Sequence, residues 1–248
     1  PALLLRSLLA MYVLVPLAGV LLVALLPLGG PIKAALLVLA VSAGAPLLPR
    51  KLGAFGSGAY VFSLVVLSSL LAVLLVPAWL ALVGRHLGVA ASLDPLPVAA
   101  IIAKSFLGPL LAGLVLRRLF PRFGARFADR LMGLAGVVLA VSALVLLATH
   151  WQVFIEMQGI SMLSLLVLLT AALAIGHALG GPSEETRTAL AVACATRHVG
   201  VAVLVATSFP GPKTTVLIAG YIVASALVSI PYLRWRRAVA ARLSASAP

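Results

Sequence analysis

Apolar residues run along this chain in stretches of about 20, the length an α-helix needs to cross a bilayer's hydrocarbon core. Short breaks rich in Gly, Pro and Arg separate them. The first stretch, Ala2–Leu28, carries one charge, Arg6, and ends at Gly29-Gly30-Pro31. It is too long for the core of a signal peptide and lacks a small-residue cleavage site before a polar region. Ile32–Leu48 is shorter and is broken at Gly44-Ala45-Pro46. Ala59–Val83, Leu96–Leu116, Leu131–Thr149 and Ile160–Leu179 follow. Thr188–Phe209 is interrupted by Arg197-His198, and Thr215–Leu233 is the eighth. The basic segment from Arg117 to Arg130 reads as a loop. Gly180-Gly181-Pro182 stops one helix, and Ser183 reads as the N-cap of the next, with Glu184 and Glu185 suiting its dipole. Backbone groups in lipid need partners inside their own segment, and barrel strands are only about 10 residues long. The spanning element is therefore the helix, and the chain reads as an all-α, polytopic membrane protein with eight transmembrane helices.

Composition narrows the class. Apolar residues make up 63% of the 248 and charged residues 9%, against about 45–50% and about 25% in soluble domains. Such a chain cannot cover a globule with polar groups, and its hydrophobicity excludes disorder. The net charge of +13 does not point to nucleic acid, because the bases sit in clusters between apolar stretches. Eight alternating helices place Arg6, Arg50, Lys51, Arg117, Arg118, Arg122, Arg126, Arg130, Arg187, Arg234, Arg236, Arg237 and Arg242 on one side. Lys33, Arg85 and Lys213 fall on the other, and Lys104 and Arg197 lie at membrane depth. The 13:3 bias makes the basic side, with the C-terminus, cytoplasmic in a multi-pass inner-membrane protein. The single cysteine, Cys194, permits no internal disulfide.

The second and seventh stretches are each interrupted, and each carries cations at the interruption. In one the break runs from Ser42 to Lys51, and in the other from Cys194 to Gly200. Each lies between two intact helices, so the order helix, broken helix, helix occurs twice, in opposite orientations. Interrupted segments at corresponding places in two inverted halves point to a transporter's binding site. Unwound backbone at membrane depth survives only where protein or a watery cavity covers it. A plainer reading stands beside this one. Pro46 and Pro49 can simply kink a helix that ends at Arg50-Lys51. Arg197 is harder to dismiss, because it is too deep to snorkel, and a charge at mid-bilayer costs about 2.5–3.5 kcal/mol on insertion scales.

Three segments carry a family resemblance over essentially the whole chain. They are Leu9-Ala10-Met11-Tyr12-Val13-Leu14-Val15-Pro16-Leu17, Leu116-Arg117-Arg118-Leu119-Phe120-Pro121, and Arg187-Thr188 through Arg197-His198-Val199-Gly200-Val201-Ala202. In order and spacing the chain resembles the bile acid:sodium symporter family. The resemblance implies ten helices in two inverted five-helix repeats, with a core domain, a panel domain and two broken helices that cross. It places the start of this chain at the family's third helix, so that two panel helices precede Pro1. The core would be residues 1–83 and 157–242, and the remaining panel pair residues 95–150. Departures are as informative. Where the family's ninth helix carries a Glu and then a Gln-Asn pair, this chain has Ala193, Arg197 and His198. The third-helix Gln before Tyr12 corresponds to Met11, and the fourth-helix Ser-Asn run to Ala45-Pro46-Leu47-Leu48. Met11, Ala193, Leu47 and Leu48 therefore mark ion-site positions whose ligands are lost. Asn is absent throughout, and Gln occurs only at 152 and 158. A Na+ about 4 Å from Arg197 would be repelled by roughly 4 kcal/mol at an effective dielectric near 20.

What is left at the breaks is cationic. Arg197, His198, Thr196, Arg50, Lys51 and Tyr12 are the candidate substrate-binding residues. Arg suits a carboxylate or sulfonate, and His198 can carry a proton in place of an ion. Arg197 has a second reading, in which it caps the carbonyls of the first half-helix and stands in for the sodium's charge. No cofactor or resident metal is implied, since His86, His150 and His177 form no ligand spacing. Gly53 to Gly58 follows no strand and reads as a hinge rather than a phosphate loop. Lys104, Cys194 and Ser63, Ser68 and Ser69 read as packing or surface residues. The five acids lie in loops or helix starts, which argues against an intramembrane enzyme. The expected function is a secondary transporter of a small organic anion by alternating access, without sodium at the usual sites. The alternative is a non-transporting or assembly-dependent membrane binding protein built on that scaffold. The bilayer and the anion are the expected partners; the oligomeric state is left open.

Overall fold

The computed structural model describes residues 2–42, 48, 52, 58–86, 95–157, 159–207, 209 and 211–245. Arg50, Lys51, Leu47 and the glycine cluster up to Ser57 lie outside them. Among the described residues every regular element is helical. In chain order these are α1, Ala2–Leu25; α2, Gly30–Val41; α3, Gly58–His86; α4, Pro95–Leu119; α5, Pro121–Thr149; α6, Trp151–Glu156; α7, Gly159–Leu179; α8, Glu184–Ala195; α9, Val199–Ala206; and α10, Lys213–Ala245. Four helices among the described residues are long and apolar enough to cross a membrane: Ala2–Leu25, Gly58–Val83, Gly159–Leu179 and Lys213–Arg242. Gly30–Val41 and Gly133–Thr149 are shorter apolar helices.

The two half-helices α2 and α8 sit at the centre. Every residue from Ala34 to Val41 is buried, and so is every residue from Thr188 to Ala195. A helix that is apolar all round has to be enclosed by its neighbours. Both are approached closely by a glycine of the preceding helix. Gly19 of α1 lies against Ala40, and a Cβ on Gly176 of α7 would sit 2.5 Å from the carbonyl oxygen of Leu190. Small residues let helix backbones come this near, which is how apolar helices gain contact where burial itself gives no drive. The α4–α5 pair is different. It contributes only Ala143 to the buried apolar residues described, and Leu111, Leu134, Val138 and Val141 among others stay exposed.

Local chemistry sets the irregularities. In α1, Ala10–Leu14 form a π-helical turn. Pro16 has no N–H to donate to the Tyr12 carbonyl four residues earlier, and the Trp79 indole donates to that carbonyl at 2.8 Å instead. Ser183 caps α8 as expected, accepting from the Thr186 N–H at 3.2 Å, with Glu184 and Glu185 in the first turn. Gly181 takes φ 82° in the turn before it, a conformation Gly adopts without strain.

One expectation needs correction. Arg117–Arg130 is not a loop, because α4 continues to Leu119 and α5 starts at Pro121, leaving only Phe120 between them. A helix can extend past an apolar stretch with its arginines outward, and Arg118 and Arg130 are exposed. Arg236, counted among the bases of the cytoplasmic side, is buried in the structure. It is 3% exposed, donates to the Thr188 hydroxyl at 3.0 Å and is ion-paired with Glu184.

Candidate functional site

The seventh stretch breaks where its charge is. α8 ends at Ala195, Thr196, Arg197 and His198 are non-helical, and α9 starts at Val199. No proline is present, so the break must be held by side chains that satisfy the freed backbone groups. Tyr221 of α10 supplies much of this. Its hydroxyl accepts from the Arg197 N–H at 2.5 Å and donates to the Ala195 carbonyl at 3.0 Å. His198 caps α9, its Nδ1 accepting from the Val201 N–H at 3.3 Å. A ring nitrogen that accepts carries no hydrogen, so in the neutral ring the proton is on Nε2.

The first broken helix meets the second here. α2 ends at Val41, where the sequence places the start of its break, and the Ser42 carbonyl accepts from the His198 N–H at 3.1 Å. The Arg197 guanidinium spans the junction. Nη2 donates to the Cys194 carbonyl, in the last turn of α8, and Nη1 to the Ala40 carbonyl, in the last turn of α2, at 3.4 Å. Arg197 is 4% exposed. Among the described residues no carboxylate is ion-paired with it.

A cavity of about 430 Å³ opens beside this junction. Gly136, Leu139 and Ala140 of α5 form one wall, the residues from Thr196 to Gly200 another, and α10 the third. Tyr221, Ser225 and Ser229 line the α10 side, each four residues after the last. Ser229 is 4% exposed and its hydroxyl has no hydrogen-bond partner among the described residues. The N-terminus of α9, capped at one N–H by His198, borders the cavity, and a helix N-terminus favours negative charge.

Of the expected substrate-binding residues, Arg197, His198 and Thr196 come together on this cavity. Tyr12 does not line it. Its hydroxyl donates to the Ser68 carbonyl, and its ring is 3% exposed. Arg50 and Lys51 lie outside the described residues, as does Leu47. Met11, Leu48 and Ala193 gather in one buried apolar cluster with Tyr12 and Cys194. Hard cations take oxygen ligands, and the side chains of Met11, Leu48 and Ala193 carry none. The residue the sequence reading missed is Tyr221. Its signal was there: Tyr221, Ser225 and Ser229 place three polar groups on one face of the last apolar stretch at helical spacing.

Comparison with protein-family models matches residues 1–157 to the Sodium Bile acid symporter family. The matched stretch carries α1 to α6, while α8, α9 and Arg197 lie beyond it. None of the curated proteins matches the chain.

Proposed function

Since the chain belongs to the Sodium Bile acid symporter family, whose members are membrane transporters, we propose that it carries a small or amphipathic organic anion across the inner membrane by alternating access. The cavity between α5, α10 and the break carries this reading. Its walls are mostly apolar, which suits a hydrocarbon body. Its polar features, the Arg197 charge and the α9 N-terminus, favour a carboxylate or sulfonate. Residues 1–83 and 157–242 act as the core and 95–150 as the panel pair, with the cavity at their junction. Relative movement of the two bodies exposes it to either side in turn. The basic side, with the C-terminus, faces the cytoplasm.

Sodium takes no part at the family's positions. The clustering of Met11, Leu48 and Ala193 as apolar side chains supports this, as does the buried positive charge of Arg197 beside them. Uptake into proteoliposomes tests both halves of the proposal. Labelled amphipathic carboxylates and sulfonates should accumulate at the same rate in sodium and choline buffers. Binding without uptake selects the alternative, a non-transporting binding protein. Sodium-stimulated uptake by the wild-type chain overturns the sodium-free reading.

A further inference from the structure

We infer that the helix junction is a monovalent-cation site built from backbone carbonyls, and that the Arg197 guanidinium is its permanent, tethered cation. Two helix C-termini converge there, those of α2 and α8. Each carries about half a negative charge, part of which the nearby α9 N-terminus offsets, so the carbonyl side of the junction is net negative in a water-poor interior. The Arg197 guanidinium lies on that side. The hydrogen bonds match this electrostatic account, because Arg197 reaches the Cys194 carbonyl in one last turn and the Ala40 carbonyl in the other. The Ser42 hydroxyl, fully buried at the end of α2 and without a hydrogen-bond partner among the described residues, adds a further oxygen beside the junction.

A buried cation is held by anions, by dipoles, or by both. Arg197 has no carboxylate paired with it among the described residues, so carbonyls and helix ends hold it. The inference does not depend on transport. A charge fixed to the chain cannot dissociate, so this site neither loads nor releases an ion. The two half-helices are tied through one side chain under all salt conditions. An exchangeable cation would instead make the junction depend on the medium.

The test is thermal unfolding of the full chain in detergent, with no transport readout, so its failure is separate from failure of the carrier reading. The wild-type midpoint should be the same in sodium, potassium and choline chloride at equal ionic strength. Arg197→Ala should unfold earlier in choline. Guanidinium at concentrations far below those that denature, or sodium, should then raise its midpoint by at least about 3 °C, with no such rise in the wild type. Arg197→Ala as stable as the wild type, or destabilised with no cation able to restore it, overturns the inference. Should Arg197→Ala not yield folded protein, Arg197→Lys and Arg197→Gln decide the matter. The charged variant should keep most of the wild-type midpoint and the neutral one should not. Equal loss in both overturns the inference.

Discussion

The two ends of α8, a helix of 12 residues, each hold a buried arginine, by different means. At its N-terminus Arg236 pairs with the Glu184 carboxylate and the Thr188 hydroxyl, and Arg187 bonds Glu184 at 3.2 Å. At its C-terminus Arg197 is held by carbonyls of two helices and, through its own N–H, by Tyr221. Both arrangements obey the helix dipole, with acids at the start and a cation at the end. The carboxylate end is a local clasp. It fastens α8 to α10 and would serve on many folds. The carbonyl end exists only because a second helix terminates beside the first. Removing Glu184 leaves two arginines each short of one partner, whereas removing Arg197 leaves two helix ends facing each other with no cation between them.

Substitutions can break this comparison, beginning with the largest expected effect. Arg197→Ala should cost about 3–5 kcal/mol in reversible unfolding, the range for removing one partner from a buried charged arrangement, and should abolish uptake. A loss no larger than that of Glu184→Gln would mean that the two ends are equivalent. Tyr221→Phe should cost about 1–3 kcal/mol, because it strands the Arg197 N–H and the Ala195 carbonyl in a buried site. Combining it with Arg197→Ala should give less than the sum of the single losses, since both act on one network. Glu184→Gln should cost about 1 kcal/mol, as its side chain is 34% exposed and solvent screens part of the charge. Paired with Arg197→Ala, it should be additive within about 0.5 kcal/mol, the two sites lying at opposite ends of the helix. Ser183→Ala should cost about 0.5–1 kcal/mol through the lost N-cap, and should leave uptake unchanged.

How well each residue could be read follows from the range of the force that places it. The break at Arg197 was legible because one charge in the middle of an apolar stretch is anomalous on its own terms. So was the Ser183 cap, since its bond to the Thr186 N–H joins residues three apart. The burial of Arg236 was not legible. It depends on Glu184, which enters from another helix, and no count of basic residues contains that contact. The segment after Arg117 was misread for a related reason. Arginines look like loop residues in a hydropathy profile, yet they are good helix formers, and α5 simply begins early. Tyr221 was missed because its role depends on a break in a different helix.

By itself the sequence determined that this chain lies in a membrane, that its spanning elements are helices, and that one of them carries a cation at its interruption. These follow from apolar length, backbone satisfaction and the cost of a buried charge, all read within a single segment. Only the tertiary structure decided what Arg197 does there. Its partner Ala40 is 157 positions away, and the negative field it balances arises from two helix ends meeting. Such a field is a property of packing: neither half-helix would create it alone.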